Sequence, residues 1–403
     1  MKNLYDAARV GVPRRGASPV DESPHYPKPG YRYRLRIALA WLLTAIAVGV
    51  LPAAAHAGTL PGLPSPQPPP SWWSQPQPPW WSYLPGLGSG GTQPPSTPPP
   101  PSTTSPPSLP GTLTTGSYSN TSGTLAYQLY VPSTYKAGTA IPLVVALHGC
   151  TQTADTFRQL TRWDQLAQQK GFIVLFPQQS SSNNYLSCWN FFQSADMSRG
   201  AGEPAIIAGI TQSVQQRYGV DHARTYVAGL SAGGAMSSVM AATYPDLYAA
   251  AGIGSGCEYA ATATCAGYQS ADPTQAGRAA YAAMGSHARA MPVIVFEGDK
   301  DTTVPPINAQ QAVQQWQTTN GLALGSPVPA APTSTSGGTA PGSQTYTVGH
   351  YSDGRGHELI QSWLVHGMAH AWSGGSSSEP YADPAGPDET AAMYAFFVQH
   401  PIG

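Results

Sequence analysis

The 403-residue chain is poor in charge. Only 10% of its residues are Asp, Glu, Lys or Arg, against about 25% in an ordinary soluble domain, and the formal net charge is -1. That excludes a basic nucleic-acid-binding surface and an acidic solvating tail, since each needs a field of one sign. Cysteine is scarce as well. There are four, and none forms a C-x-x-C pair with a histidine nearby, so a zinc site is not expected. The apolar run at 37–51, broken only by Thr44 and Gly49, falls short of the roughly 20 residues a membrane span needs. What the chain has in excess is 43 Gly and 42 Pro, about a fifth of its length.

Much of the proline sits in front. Residues 59–111 carry no charge and read as Pro, Ser, Thr, Gly and Gln without an apolar period of 3.6 or 2. Such a segment cannot bury a core and is expected to be an extended, polyproline-like linker. It contains two Trp pairs, Trp72-Trp73 and Trp80-Trp81, with Tyr83 close by. These are either loosely collapsed linker residues or a short aromatic platform for an apolar polymer surface. Upstream, Arg32, Arg34 and Arg36 precede the apolar run, and Ala55-His56-Ala57 fits a small-residue cleavage site. Arg14-Arg15 lie too far from the run for a twin-arginine signal. The expected organisation is a signal peptide with a long basic leader at 1–57, a linker at 58–113 and a folded domain at 114–403. Removing 1–57 takes eight of the 19 Lys/Arg and three of the 20 Asp/Glu, leaving a mature net charge of about -6. The mature chain is expected to be secreted and free of the membrane, with its oligomeric state open.

An even cysteine count in an oxidising compartment favours disulfides, although four cysteines allow three connectivities. The spacing suggests Cys257-Cys265 as a local loop and Cys150-Cys188 as a clip between strand ends. From Thr114 onward strands and helices alternate. Residues 125–131, 142–147, 172–176, 225–228, 249–252 and 292–296 read as strands, with Pro177 stopping the third. One helix is expected over 157–170, ended by Gly171, and others over 203–218, after Ser231 and over 388–399. The alternation predicts a three-layer α/β fold with a mostly parallel central sheet.

Chemistry enters at the strand ends. Gly229-Leu-Ser231-Ala-Gly233 is a G-x-S-x-G placed between a strand and a small-residue helix. A nucleophile elbow forces its serine into a strained turn, so the positions two either side must be small. The turn also sets the hydroxyl beside backbone N–H groups at a helix N-terminus. An acid and a base should follow in the order Ser, Asp, His. Asp299 and Asp301 both follow the 292–296 strand, and one of them is a loop-capping carboxylate. His370 lies in a loop after the strand around Trp363, whereas His366 keeps the strand's alternation. The oxyanion donors are expected to be the N–H of Ala232 and that of Cys150, after Leu147-His148-Gly149. His148 reads as structural.

Together these segments resemble the polyhydroxybutyrate (PHB) depolymerase-type esterases, relatives of feruloyl and acetylxylan esterases in the α/β-hydrolase superfamily. The resemblance is carried by LHGCTQTADTF, FPQQ, CWNFF, RGAGEPAIIAGI, YVAGLSAGGAM, GDKDTTVPPIN and GMAHAWSGG, in that order. It implies Ser231 as nucleophile, Asp301 as acid and His370 as base, with Cys150 and Ala232 as oxyanion donors, and it implies no cofactor or metal. Glu297 and Ala369 depart from the family pattern without removing a reacting group. Trp189 and Trp372 flank the motifs and are candidates for lining the substrate pocket. The expected partner is a polyester such as poly(3-hydroxybutyrate), or its oligomers. A plant cell-wall esterase is the second reading, and a non-catalytic polymer-binding protein is an alternative of another class.

Overall fold

The computed structural model describes residues 109–261, 265 and 272–403. The expected leader, the linker before Leu109 and both Trp pairs lie outside the described residues. The described chain folds around a ten-stranded sheet of order β1-β2-β4-β3-β5-β6-β7-β10-β9-β8. These strands are β1 Thr112–Asn120, β2 Gly123–Val131, β3 Ile141–Leu147, β4 Ile173–Gln178, β5 Val220–Leu230, β6 Ala251–Gly254, β7 Val293–Gly298, β8 Ser334–Thr339, β9 Thr345–Ser352 and β10 Glu358–Val365. From β4 through β3, β5, β6 and β7 to β10 every pairing is parallel. The β1-β2 hairpin, with β2 on β4, and the β8-β9 hairpin, with β9 on β10, flank this block with antiparallel pairings.

The central strands are apolar throughout because both faces are covered. Along β3, Leu143, Val145 and Leu147 join one buried cluster and Val144 and Ala146 the other. The first face is covered by α3 (Gly202–Tyr218), α4 (Ala232–Thr243), α5 (Pro273–Met284) and α6 (Ile307–Leu324), through residues such as Ile207, Met236, Ala280 and Trp316. The second is covered by α1 (Ala154–Thr161), α2 (Trp163–Lys170) and α7 (Glu389–Phe397), through Phe157, Trp163 and Phe397. This is the three-layer α/β-hydrolase arrangement.

Local expectations fail in three places. The helix expected over 157–170 is two helices, because Arg162 adopts a left-handed φ of 56° that ends α1 and starts α2. The guanidinium of Arg162 donates to the carbonyl of Gly374 from that position. Pro177 lies inside β4 and does not stop it: the ladder to β3 has already ended at Leu175, so its missing N–H costs nothing on that side. β1, paired with the expected β2, and the β8-β9 hairpin are strands beyond those expected; every residue of β8 is exposed.

Candidate active site

Gly229 is the last residue but one of β5 and Gly233 lies in the first turn of α4, so the chain must reverse sharply at Ser231, which sits at φ 59°, ψ -122°. Both glycines are required by contact. A Cβ at Gly229 would overlap the backbone of Gly233, and one at Gly233 would overlap the Leu147 carbonyl. The Ser231 N–H donates to Gly254 O at 2.8 Å, which ties the elbow to the end of β6. A conformation this far from the ordinary basins costs on the order of 1–3 kcal/mol and persists only where its surroundings hold it.

The turn after β3 passes directly beside the serine. A Cβ at Gly149 would stand 3.4 Å from Ser231 Cβ. His148, fully buried, receives a bond from Gln179 N at its Nε2, so its proton sits on Nδ1 and donates to Gly149 O at 2.8 Å. Burial pushes the His148 pKa down to about 4, which keeps the ring neutral in this structural role. Gln152 Oε1 accepts from Gly149 N, and Thr151 N donates to Leu186 O. The Cys150–Cys188 disulfide then clips the turn to the 180–190 segment. The second disulfide, Cys257–Cys265, closes a local loop after β6.

Two loops at the far side meet in the same region. After β7, Asp301 N bonds back to Gly298 O, and Lys300 N donates to Met368 O at 3.0 Å, joining the Asp301 loop to the one that carries His370. Gly298 has no room for a side chain against Met368 O. His370 Nδ1 donates to Asp301 Oδ2 at 2.6 Å, which leaves Nε2 as the acceptor nitrogen. The other Asp301 oxygen accepts from Thr303 N and Val304 N, both at 2.8 Å. Asp299 binds elsewhere, to His366 and the N–H of Gly367.

Ser231 and His370 line one cleft of about 170 Å³ with Gly149, Cys150, Thr151, Gln152, Leu230, Thr303 and Tyr381. Larger hollows of about 660 and 690 Å³ elsewhere on the surface are lined by no histidine, so chemistry and not size marks the site. The N–H of Ala232, at the first residue of α4, is one of the four that a helix leaves without an internal acceptor. Cys150 lines the cleft itself.

The structure does not bring Trp189 and Trp372 to the cleft. Both are core residues, 0% and 1% exposed. Their indole N–H groups are used inside, on His148 O and Thr390 Oγ1, and Trp372 packs edge-on against Phe157 and Trp163. The aromatic wall is instead Tyr381, 43% exposed, whose ring meets His370 edge-on with centroids 6.1 Å apart. Tyr381 holds a left-handed φ of 64°, and its carbonyl accepts from Trp372 N across the short β11-β12 pair (Trp372–Ser373 and Ala382–Asp383). Among the described residues no group of three or more His, Cys, Asp or Glu is placed to hold a metal, and no helix is long and apolar enough to cross a membrane.

A family model described as "Esterase PHB depolymerase" matches residues 125–333, which include Ser231 and Asp301. Poly(3-hydroxyalkanoate) depolymerase C of Paucimonas lemoignei is 34% identical over 258 residues, covering 62% of this chain and 58% of that protein. Acetylxylan esterase A of Talaromyces purpureogenus is 34% identical over 53% of this chain and 58% of its own length. The chain thus spans little more than half the length of these relatives. Among solved structures, an acetyl xylan esterase from Aspergillus awamori aligns with a TM-score of 0.56 at 27% identity, over 64% of this chain and 94% of that one. The chain belongs to the esterase PHB depolymerase family.

Proposed function

We propose that the protein is an exported serine carboxylesterase in which Ser231 is the nucleophile, His370 the general base and Asp301 the orienting acid. One observation carries the reading: Ser231, strained at the elbow, shares its cleft with a histidine whose Nδ1 is held by a buried carboxylate at 2.6 Å. His370 Nε2 takes the Ser231 proton as Oγ attacks the ester carbonyl. The N–H groups of Cys150 and Ala232 receive the oxyanion, and His370 returns the proton to the leaving alcohol. Water then follows the same path to release the acid.

The substrate class we favour is a polyester of hydroxyalkanoate units or its oligomers, in line with the depolymerase relative. The second reading, an ester on plant cell-wall polysaccharide, is supported by the acetylxylan esterase relatives and by the alignment over 94% of the acetyl xylan esterase structure. The two disulfides suit an oxidising compartment, which supports export through a leader at 1–57, followed by a linker at 58–113 and the catalytic domain at 114–403. The test is hydrolysis of hydroxybutyrate oligomers, acetylated xylan and methyl ferulate by the full chain beside Ser231→Ala. We expect a loss of at least about 10⁴-fold in kcat in the variant. Equal rates would end the esterase reading, and the preferred ester decides between the two substrate classes.

A further inference from the structure

A carboxyl group that the catalytic scheme does not use lies directly beneath its acid. Glu297, the last residue but one of β7, is 1% exposed. Its Oε1 accepts from Gly298 N at 2.9 Å, while Oε2 is buried with no hydrogen-bond partner among the described residues. The Asp301 carboxyl lies within side-chain hydrogen-bonding reach of it. Two carboxylates cannot share such a place without a proton between them. Asp301 already accepts three bonds, from His370, Thr303 and Val304, and a carboxylate has about four acceptor positions.

We propose that Glu297 is a positioning residue, its protonated carboxyl donating the fourth hydrogen bond to Asp301. The orphaned oxygen then becomes a donor, and the acid that orients His370 is fixed from beneath as well as from its own loop. Burial first, and the nearby Asp301 charge second, hold Glu297 well above the usual carboxylate range, in keeping with this role. Glu389 of α7 also faces it and is likewise pushed well above the usual carboxylate range by burial, with one oxygen accepting from Ser373 N and the other unpartnered. Ser255, just past the end of β6, donates its N–H to Phe296 O and brings a hydroxyl and no charge.

The inference rests on the esterase reading, and its test separates the two. The full chain is compared with Glu297→Gln, which keeps a donor of the same shape, and Glu297→Leu, which has none. Leucine is expected to lower kcat roughly 10- to 100-fold with KM little changed, the scale of one hydrogen bond to a charged group. Glutamine should restore most of it. On the alkaline side the wild type should lose kcat as Glu297 ionises, while Glu297→Gln stays level. Infrared spectra should show one protonated-carboxyl band fewer in Glu297→Gln. Undiminished kcat in Glu297→Leu, equal losses in both variants, or an unchanged infrared band would each overturn the proposal. If the wild type itself hydrolysed no ester, the esterase reading would fail, and the infrared band would still decide whether Glu297 carries the proton.

Discussion

Glu203 links stability to pH, and the size of the link can be worked out. It stands in the first turn of α3, 5% exposed, and receives bonds from Gln179 Nε2, Asn190 Nδ2 and Asn190 N. Gln179 also donates to Cys188 O, so this carboxyl anchors the segment that the disulfide joins to the cleft. Burial, aided by the neighbouring Asp196 charge, pushes Glu203 from 4.5 up to about 7, against the opposing pull of its donors. The helix N-terminus also favours the anion, but only by about 0.3–1 kcal/mol.

The sign follows from the raised value. Below pH 4.5 the carboxyl is protonated in folded and unfolded chains alike, and folding carries no penalty from it. Between 4.5 and about 7 the unfolded chain ionises first, so stability falls as pH rises. Above that the loss is complete, at about 3 kcal/mol for a shift of this size. Glu203→Gln cannot titrate and leaves one of its donors facing an amide N–H, a cost of about 1–3 kcal/mol at any pH. The wild type should therefore exceed the variant most in acid, and its margin should shrink by about 3 kcal/mol by pH 8. Urea unfolding of both proteins across pH 4.5 to 8 measures this margin. A margin that stayed flat or grew with pH would show that the donors, and not burial, set the ionisation of Glu203.

Two further outcomes follow from the packing. Replacing Cys150 and Cys188 by serine opens a loop with a separation of 38 residues and should cost about 4 kcal/mol, against about 2.5 for the eight-residue separation of Cys257 and Cys265. Only the first pair should also lower kcat, which steady-state assays beside urea unfolding would show. Trp372→Phe should cost roughly 1–3 kcal/mol of stability through lost contact and the lost bond to Thr390 while leaving KM unchanged, as melting and kinetics together would establish.

The parts of the site legible in the sequence are those whose constraint is local. Gly229 announces the elbow locally, because a Cβ there would overlap the backbone of Gly233 four residues on, whereas Gly233 is held small by the Leu147 carbonyl from the neighbouring strand. The β-branched core strands are legible for a similar reason, since burial on both faces removes any polar alternation. The β8 strand, Ser334–Thr339, is fully exposed and pairs with β9 through its backbone and a single polar contact, Ser336 Oγ with His350 Nε2, so its side chains carry no apolar trace of it. Arg162 looks like one more polar position in a helix; what breaks the helix is a contact with Gly374, 212 residues away.

The aromatic residues show where such reading ends. Trp189, Trp372 and Tyr381 all stand near site motifs, and composition treats them alike. What separates them is whether the polar atom finds a partner inside. The indole N–H of Trp189 caps His148 O and that of Trp372 caps Thr390, so both rings can be withdrawn from water without an unsatisfied donor. Tyr381 is held by its backbone instead, with its carbonyl taken by Trp372 N and its φ at 64°, and this turns the ring out beside His370. The core tryptophan thus places the cleft tyrosine. The tie to Tyr381 runs through the backbone N–H of residue 372, so the indole can be exchanged for phenyl at a cost to the core while the cleft tyrosine keeps its place.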